Sequence, residues 1–168
     1  MGIFAKDTIT LDDNQWNTFG LEWFVSCSIN KKLTLVGLWG CGNYIGDIYV
    51  YLQIYKKMMK KIKNKIICGD FNSNSCWDKK HKIRTHTAVV NELEQLNLFS
   101  CYHLKEKESQ GKESKPTFYM YRNKEKPYHI DYMFYKKKGI NKIKIGKFED
   151  WISLSDHMPM LLDINLGI

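Results

Sequence analysis

Ile66-Ile67-Cys68-Gly69-Asp70-Phe71-Asn72-Ser73-Asn74-Ser75 decides how this chain is read. The apolar run ahead of Gly69 predicts a buried strand over Lys65–Asp70, and the polar run behind Phe71 predicts a loop reaching to His86. An acid and an amide, Asp70 and Asn72, therefore stand at the mouth of a strand. Two residues apart in an extended segment, they are expected on one face. Asp and Asn also suit turns in their own right, so a simple strand-closing turn is the competing account.

Two distant stretches supply what such a pair would need. Tyr128-His129-Ile130-Asp131-Tyr132-Met133-Phe134-Tyr135 alternates as a strand and carries one acid at its centre. A carboxylate on a buried strand requires a partner, and Ser155-Asp156-His157 offers one in His157. Asp131 would fix the tautomer of His157 and leave its other ring nitrogen facing a substrate. Asp156 offers an oxygen ligand of the kind Mg²⁺ or Mn²⁺ prefers over zinc. Phosphodiester hydrolysis calls for these parts: a base for water, a cation or cationic group for the phosphate oxygens, and residues that order them.

With Gly69-Asp70-Phe71-Asn72, then Pro116-Thr117-Phe118 leading into Ile130-Asp131-Tyr132, then Ser155-Asp156-His157, the chain resembles the endonuclease/exonuclease/phosphatase superfamily, the DNase I-like fold. The resemblance runs from about Gly2 to Leu162. It implies an α/β sandwich of two mainly antiparallel sheets with outer helices, built by residues 1–168. It also implies that Asp70 and Asn72 activate or orient water, that Asp156 sits at the metal site, and that His157 is the catalytic histidine oriented by Asp131. Mg²⁺ or Mn²⁺ is the implied cofactor.

The departures set further expectations. Members of the superfamily begin with a strand bearing an Asn, a helix, and a strand bearing a metal-ligating Glu, and this sequence holds none of these. Gly2-Ile3-Phe4-Ala5-Lys6 looks like the strand that follows that Glu, so the chain is expected to start inside the domain and to be N-terminally incomplete, with exposed sheet edges open to dimerisation. In Leu35-Val36-Gly37-Leu38-Trp39, where many relatives place an Asn and a His, Gly37 and Trp39 stand instead. Trp39 is a candidate for stacking on a base or sugar.

Bulk properties are consistent with this reading. The 168 residues, 43% hydrophobic, suffice for one domain with a core. A net charge of +8 favours a polyanionic partner, DNA or another nucleic acid, although a Lys-rich, Asn-rich composition also follows from an A/T-rich genome. Five cysteines without a C-x-x-C pair suit reduced thiols. No apolar run approaches the roughly 20 residues of a membrane span, and a cytoplasmic location is expected; no obligate protein partner is implied.

Outward from the decisive stretch, strands are expected over Glu22–Ile29 and Lys32–Trp39 with a turn at Asn30-Lys31. A helix follows over Ile45–Ile62 with Ile48, Leu52, Tyr55, Met59 and Ile62 inward and lysines on a solvated face. A short helix over Thr87–Leu96, a strand over Phe99–Leu104, and an exposed, mobile loop over Glu106–Lys115 come next. Strands near Thr117–Arg122, His129–Tyr135, Asn141–Gly146 and Met158–Ile164 complete the unit. Cys76, His81 and His86 match no zinc spacing and read as surface loop residues, and His103 as a strand-end residue. His129 shares the face of Asp131, and Arg122 lies near Phe118, Tyr119 and Tyr121; both are candidate substrate contacts. Two rival functions remain open: a phosphatase or phosphodiesterase of inositol phosphates or lipid headgroups, and an inactive truncated fragment serving as a binding module.

Overall fold

The structure is a computed structural model that describes residues 1–20, 22–81 and 83–166. Its chain order is β1 (Leu11–Asp13), β2 (Phe24–Ile29), β3 (Leu33–Trp39), α1 (Ile45–Lys61), β4 (Lys65–Asp70), α2 (His86–Gln95), β5 (Phe99–Ser100), α3 (Cys101–Glu106), β6 (Phe118–Tyr119), β7 (Pro127–Tyr128), β8 (Asp131–Tyr135), β9 (Ile140–Ile145), α4 (Phe148–Trp151) and β10 (Met160–Ile164). Six strands form one sheet in the order β1-β2-β3-β4-β8-β5, antiparallel except where β3 runs parallel to β4. The parallel step is the one that needs a crossover, and α1 supplies it. Hairpin β9–β10 is a second, two-stranded sheet, and β6–β7 a short ribbon.

Strand alternation sends side chains to two cores. Val36, Leu38, Ile67, Tyr132 and Phe134 point to the helical side, where Ile45, Ile48, Leu52, Tyr55 and Met59 of α1 and Val89, Val90 and Leu93 of α2 cover them. Leu33, Ile66 and Tyr135 point the other way and meet Ile140 and Ile143 of the hairpin. The result is a helix layer, a six-stranded sheet and a small second sheet: the expected α/β sandwich. The turn at Asn30-Lys31 places both residues at positive φ, 49° and 54°, the geometry that matches the twist of a tight hairpin. One lysine assigned to a solvated face, Lys56, instead bridges the helices by bonding Glu92 at 2.5 Å and Gln95 at 2.8 Å on α2.

Three expectations are corrected. Gly2–Lys6 forms no strand, because no described strand pairs with it, and Phe4 is 94% exposed. The strand read over Phe99–Leu104 stops at Ser100 and turns into α3; Cys101 and Tyr102 are both buried, and adjacent buried residues cannot share one face of a strand. The strand read over Thr117–Arg122 likewise ends at Tyr119, and Tyr121 and Arg122 take positive φ. No helix among the described residues is long and apolar enough to cross a membrane.

Gly69 is the tightest point of the sheet. Its φ is +142°, and a Cβ there would lie 1.9 Å from the Leu38 carbonyl oxygen on β3. No side chain fits that space without parting β3 from β4 just before Asp70. Gly69→Ala is expected to cost about 4 kcal/mol or more, read as loss of the cooperative melting transition in circular dichroism. A variant melting at the wild-type temperature would contradict the packing described.

Candidate active site

Sheet register assembles the site. Asp70, the last residue of β4, pairs with Trp39 on β3 on one side and with Asp131 on β8 on the other. Three side chains at one level of three adjacent strands project from the same face. The chain then leaves the strand, so Asp70 and Asn72 do not simply share a face as extended spacing predicts. Asn72 takes a φ of 45°, and its backbone N–H and side-chain amide both donate to the Asp70 carboxylate, at 2.8 and 3.1 Å. The turn and the functional pairing are the same structure, with the amide holding the acid in place.

Asp131 is ordered from behind by Thr117. The buried Thr117 hydroxyl oxygen accepts the N–H groups of Ile130 and Asp131, each at 3.0 Å, while its carbonyl accepts the Met158 N–H at 2.7 Å. One residue thus ties the start of β8 to the segment carrying His157. The His157 Nδ1 lies 3.0 and 3.2 Å from the two Asp131 oxygens, the Ser155 hydroxyl accepts its backbone N–H at 3.0 Å, and its ring rests on Phe118 with centroids 4.7 Å apart. With Nδ1 committed to Asp131, Nε2 is the atom left for a substrate.

The electrostatics follow from this crowding. Asp70 is pushed up to about 6, first by loss of water and then by the Asp131 charge, against the opposing effect of the Asn72 N–H, His157 and Trp39. Hydrogen bonding to Asp131 raises the pKa of His157 over the opposing effect of its own burial. Ligand atoms of Asp70, Asp131 and His157 lie within 4.8 Å of one another. Two carboxylates held this close resist full ionisation, and a divalent cation would relieve that resistance, so the donor set fits an oxygen-seeking metal.

Solved structures share this architecture. The chain superposes on the 3'-5' exonuclease NExo from Neisseria meningitidis with a TM-score of 0.64 at 12% identity, over 85% of this chain and 65% of that one. It has the fold of the endonuclease/exonuclease/phosphatase superfamily. The 3' phosphatase NExo from Neisseria bound to a product DNA hairpin matches with a TM-score of 0.65 at 12% identity, over 95% of this chain and 71% of that one. The endonuclease domain of TRAS1, a telomere-specific non-LTR retrotransposon, matches at 0.59 and 20% identity, over 93% and 68%. The chain thus spans about two thirds of the length of these solved structures. No family model and no curated protein matches the sequence.

Within this endonuclease/exonuclease/phosphatase fold the remaining candidates fall at different distances from the cluster. Asp156 lies beside His157 and adds to its positive bias, but is not one of the three clustered groups; its backbone carbonyl accepts the Tyr119 N–H. Trp39 is partly exposed, reaches the Asp70 carboxylate and packs edge-on against Trp23. Arg122 is exposed and donates to the Ser153 carbonyl. His129 is buried, its Nδ1 donating to the Lys115 carbonyl at 2.8 Å.

Sequence reasoning missed a second polar layer behind the site. The span read as an exposed, mobile loop carries Glu113, whose side chain is 4% exposed. Glu113 accepts from His103 at 2.9 Å, from the Asn74 amide at 3.0 Å and from the Gly111 N–H at 2.9 Å. His103 is therefore a half-buried helical residue, not a strand end. His86, read as a loop residue, is fully buried against Phe71 and Tyr132 and bonds Gln110. Glu113 and Gln110 of this loop face inward to partners, while Lys107, Ser109, Lys112, Ser114 and Lys115 are exposed as expected. Only the pairing of an acid with distant histidines could have signalled this.

The layer makes stability sensitive to acid. Burial depresses His86 to about 4, so the unfolded chain binds more protons and stability falls as pH drops from 6.5 towards 4. Burial of Glu113 works against its charge, yet its three hydrogen bonds hold it at about 2, so its contribution is lost as pH falls from 4.5 towards 2. Glu113→Gln is expected to cost about 2 kcal/mol at pH 7 and to flatten the acid limb only below pH 4.5, as measured by urea unfolding across pH.

Proposed function

We propose that residues 1–168 act as a divalent-metal-dependent phosphodiesterase on nucleic acid. The observation that carries this is the Asp70–Asp131–His157 cluster: two carboxylates in register on adjacent strands, with an imidazole oriented by one of them. A net charge of +8 supports a polyanionic substrate. A cavity of about 280 Å³ opens beside the cluster between Asn72, Phe118, Tyr128 and Ile130, where a nucleotide's sugar or base can sit.

In this reading Asp70 and Asp131 would hold Mg²⁺ or Mn²⁺, which when bound would supply positive charge to the phosphate oxygens. Asp70 takes a proton from water as the water oxygen attacks phosphorus. Asn72 keeps that carboxylate aimed. His157, its protonated form favoured by the hydrogen bond to Asp131, donates from Nε2 to a non-bridging oxygen and stabilises the charge that builds in the transition state. The opposite P–O bond breaks, and its oxygen leaves with the electron pair and is protonated by solvent. Asp156 adds negative charge near the imidazole, and the exposed Trp39 and Arg122 are assigned to stacking and to phosphate contact. A second reading, removal of a terminal 3' phosphate from DNA, uses the same groups and is favoured by the shared fold of the 3' phosphatase NExo bound to product DNA.

The test is cleavage of a labelled single-stranded DNA oligonucleotide in Mg²⁺, in EDTA, and by Asp70→Asn. Metal-dependent cleavage that falls by about 10² to 10⁴ in a normally folded variant is expected. Release of inorganic phosphate alone from a 3'-phosphorylated oligonucleotide would select the second reading. Cleavage insensitive to EDTA and to the substitution would overturn both.

A further inference from the structure

Behind the substrate cavity lies another, of about 250 Å³, that the mechanism does not use. The two share a partition: Trp77 and Tyr128 line both, with ring centroids 5.5 Å apart. On the near side the partition faces Asn72 and Phe118, next to His157. On the far side it faces Asn74, Glu113, Ser114 and His129.

The far cavity selects against phosphate. No Lys or Arg is found among its described lining residues, and Glu113, held well below the usual carboxylate range, places a permanent negative charge in its wall. Its polar character is that of an acceptor. His129 lines it with Nδ1 spent on Lys115, and its buried Nε2 has no partner among the described residues. The Trp77 and Tyr128 rings, tilted 45° to one another so that each offers its own face, and two proline rings, Pro116 and Pro127, suit a planar neutral ring.

The wall is also built to persist. Gly111 brings the 107–115 segment so near the 3₁₀ turn that carries Trp77 that a Cβ there would lie 2.6 Å from the Ser75 hydroxyl. Glu113 then pins the same segment to His103 and Asn74.

We propose that the Trp77–Tyr128 partition is a two-sided stacking platform, and that the cavity behind it takes the unpaired nucleobase one step beyond the nucleotide held at the catalytic cluster. This rests on the nucleic-acid reading and extends it: the substrate is single-stranded or locally unpaired, and two bases are gripped. A nucleobase offers what the cavity asks for, a flat face for the aromatic rings and N–H donors on its edge. Cys76 and Trp77 follow Asn72 by four and five residues, so strand, turn and platform are set by one continuous segment.

The probe is a set of short DNA oligonucleotides with one cleavable phosphodiester, the other linkages being methylphosphonates, and with one base at a time replaced by an abasic spacer. For the wild type, KM is expected to rise about ten-fold at two adjacent positions with kcat little changed, in keeping with the value of one stacked base. Cys76→Phe and, from the opposite wall, Ser114→Phe fill only the far cavity; each should erase the sensitivity at the outer position and keep it at the inner one. Sensitivity at a single position in the wild type, or two positions unaltered in both filled variants, would overturn the second base site while leaving the nuclease reading intact. Failure of the wild type to cleave any of these or unmodified single-stranded DNA would overturn the nuclease reading, and the base site with it.

Discussion

The pairing of β4 with β8 sets Asp70 directly across from Asp131, and the rest of the site depends on that juxtaposition. Like charges opposite one another on neighbouring strands weaken a sheet, so the arrangement persists only because its surroundings compensate. Asn72 donates twice to one carboxylate and His157 closes on the other. What remains is a proton affinity raised at Asp70 and a local excess of oxygen donors. The first follows from loss of water around Asp70 and then from the Asp131 charge, and the second from crowding two acids.

The scaffold makes the crowding geometrically firm. Gly69 lets β3 and β4 approach closely just before the acid, and Thr117 gathers the start of β8 and the His157 segment around one hydroxyl and one carbonyl. Phe118, Trp77 and Tyr128 continue outward from the catalytic groups as an aromatic surface. Behind them the Glu113–His103–Asn74 layer fixes a loop that would otherwise drift. Clustered charge, aromatic surface and supporting polar layer are thus successive shells at the ends of the inner strands β4 and β8.

Much of this was legible in the chain because it is local. Residues 65–70 read as a strand from apolar content alone, α1 from the spacing of Ile48, Leu52, Tyr55 and Met59, and the hairpin from Asn30-Lys31. The link from Asp131 to His157 was legible because a buried acid demands a partner. What escaped was set by contacts distant in sequence. Nothing around Glu113 marks it as buried until His103, ten residues earlier, and Asn74, thirty-nine residues earlier, are brought to it. Periodicity over Phe99–Leu104 could not show that strand partners run out at Ser100. The folding back of Asn72 onto Asp70 likewise depends on a positive φ that no spacing rule encodes.

The central claim is that these two carboxylates form a cation site. Binding of Mn²⁺ to the folded protein, followed by the loss of its free-ion electron paramagnetic resonance signal, tests this without requiring a substrate. One bound Mn²⁺ per chain, displaced by Mg²⁺ and weakened at least about ten-fold by Asp131→Asn, is the result the account predicts. Binding unaltered by that substitution, or none at millimolar Mn²⁺, would contradict it.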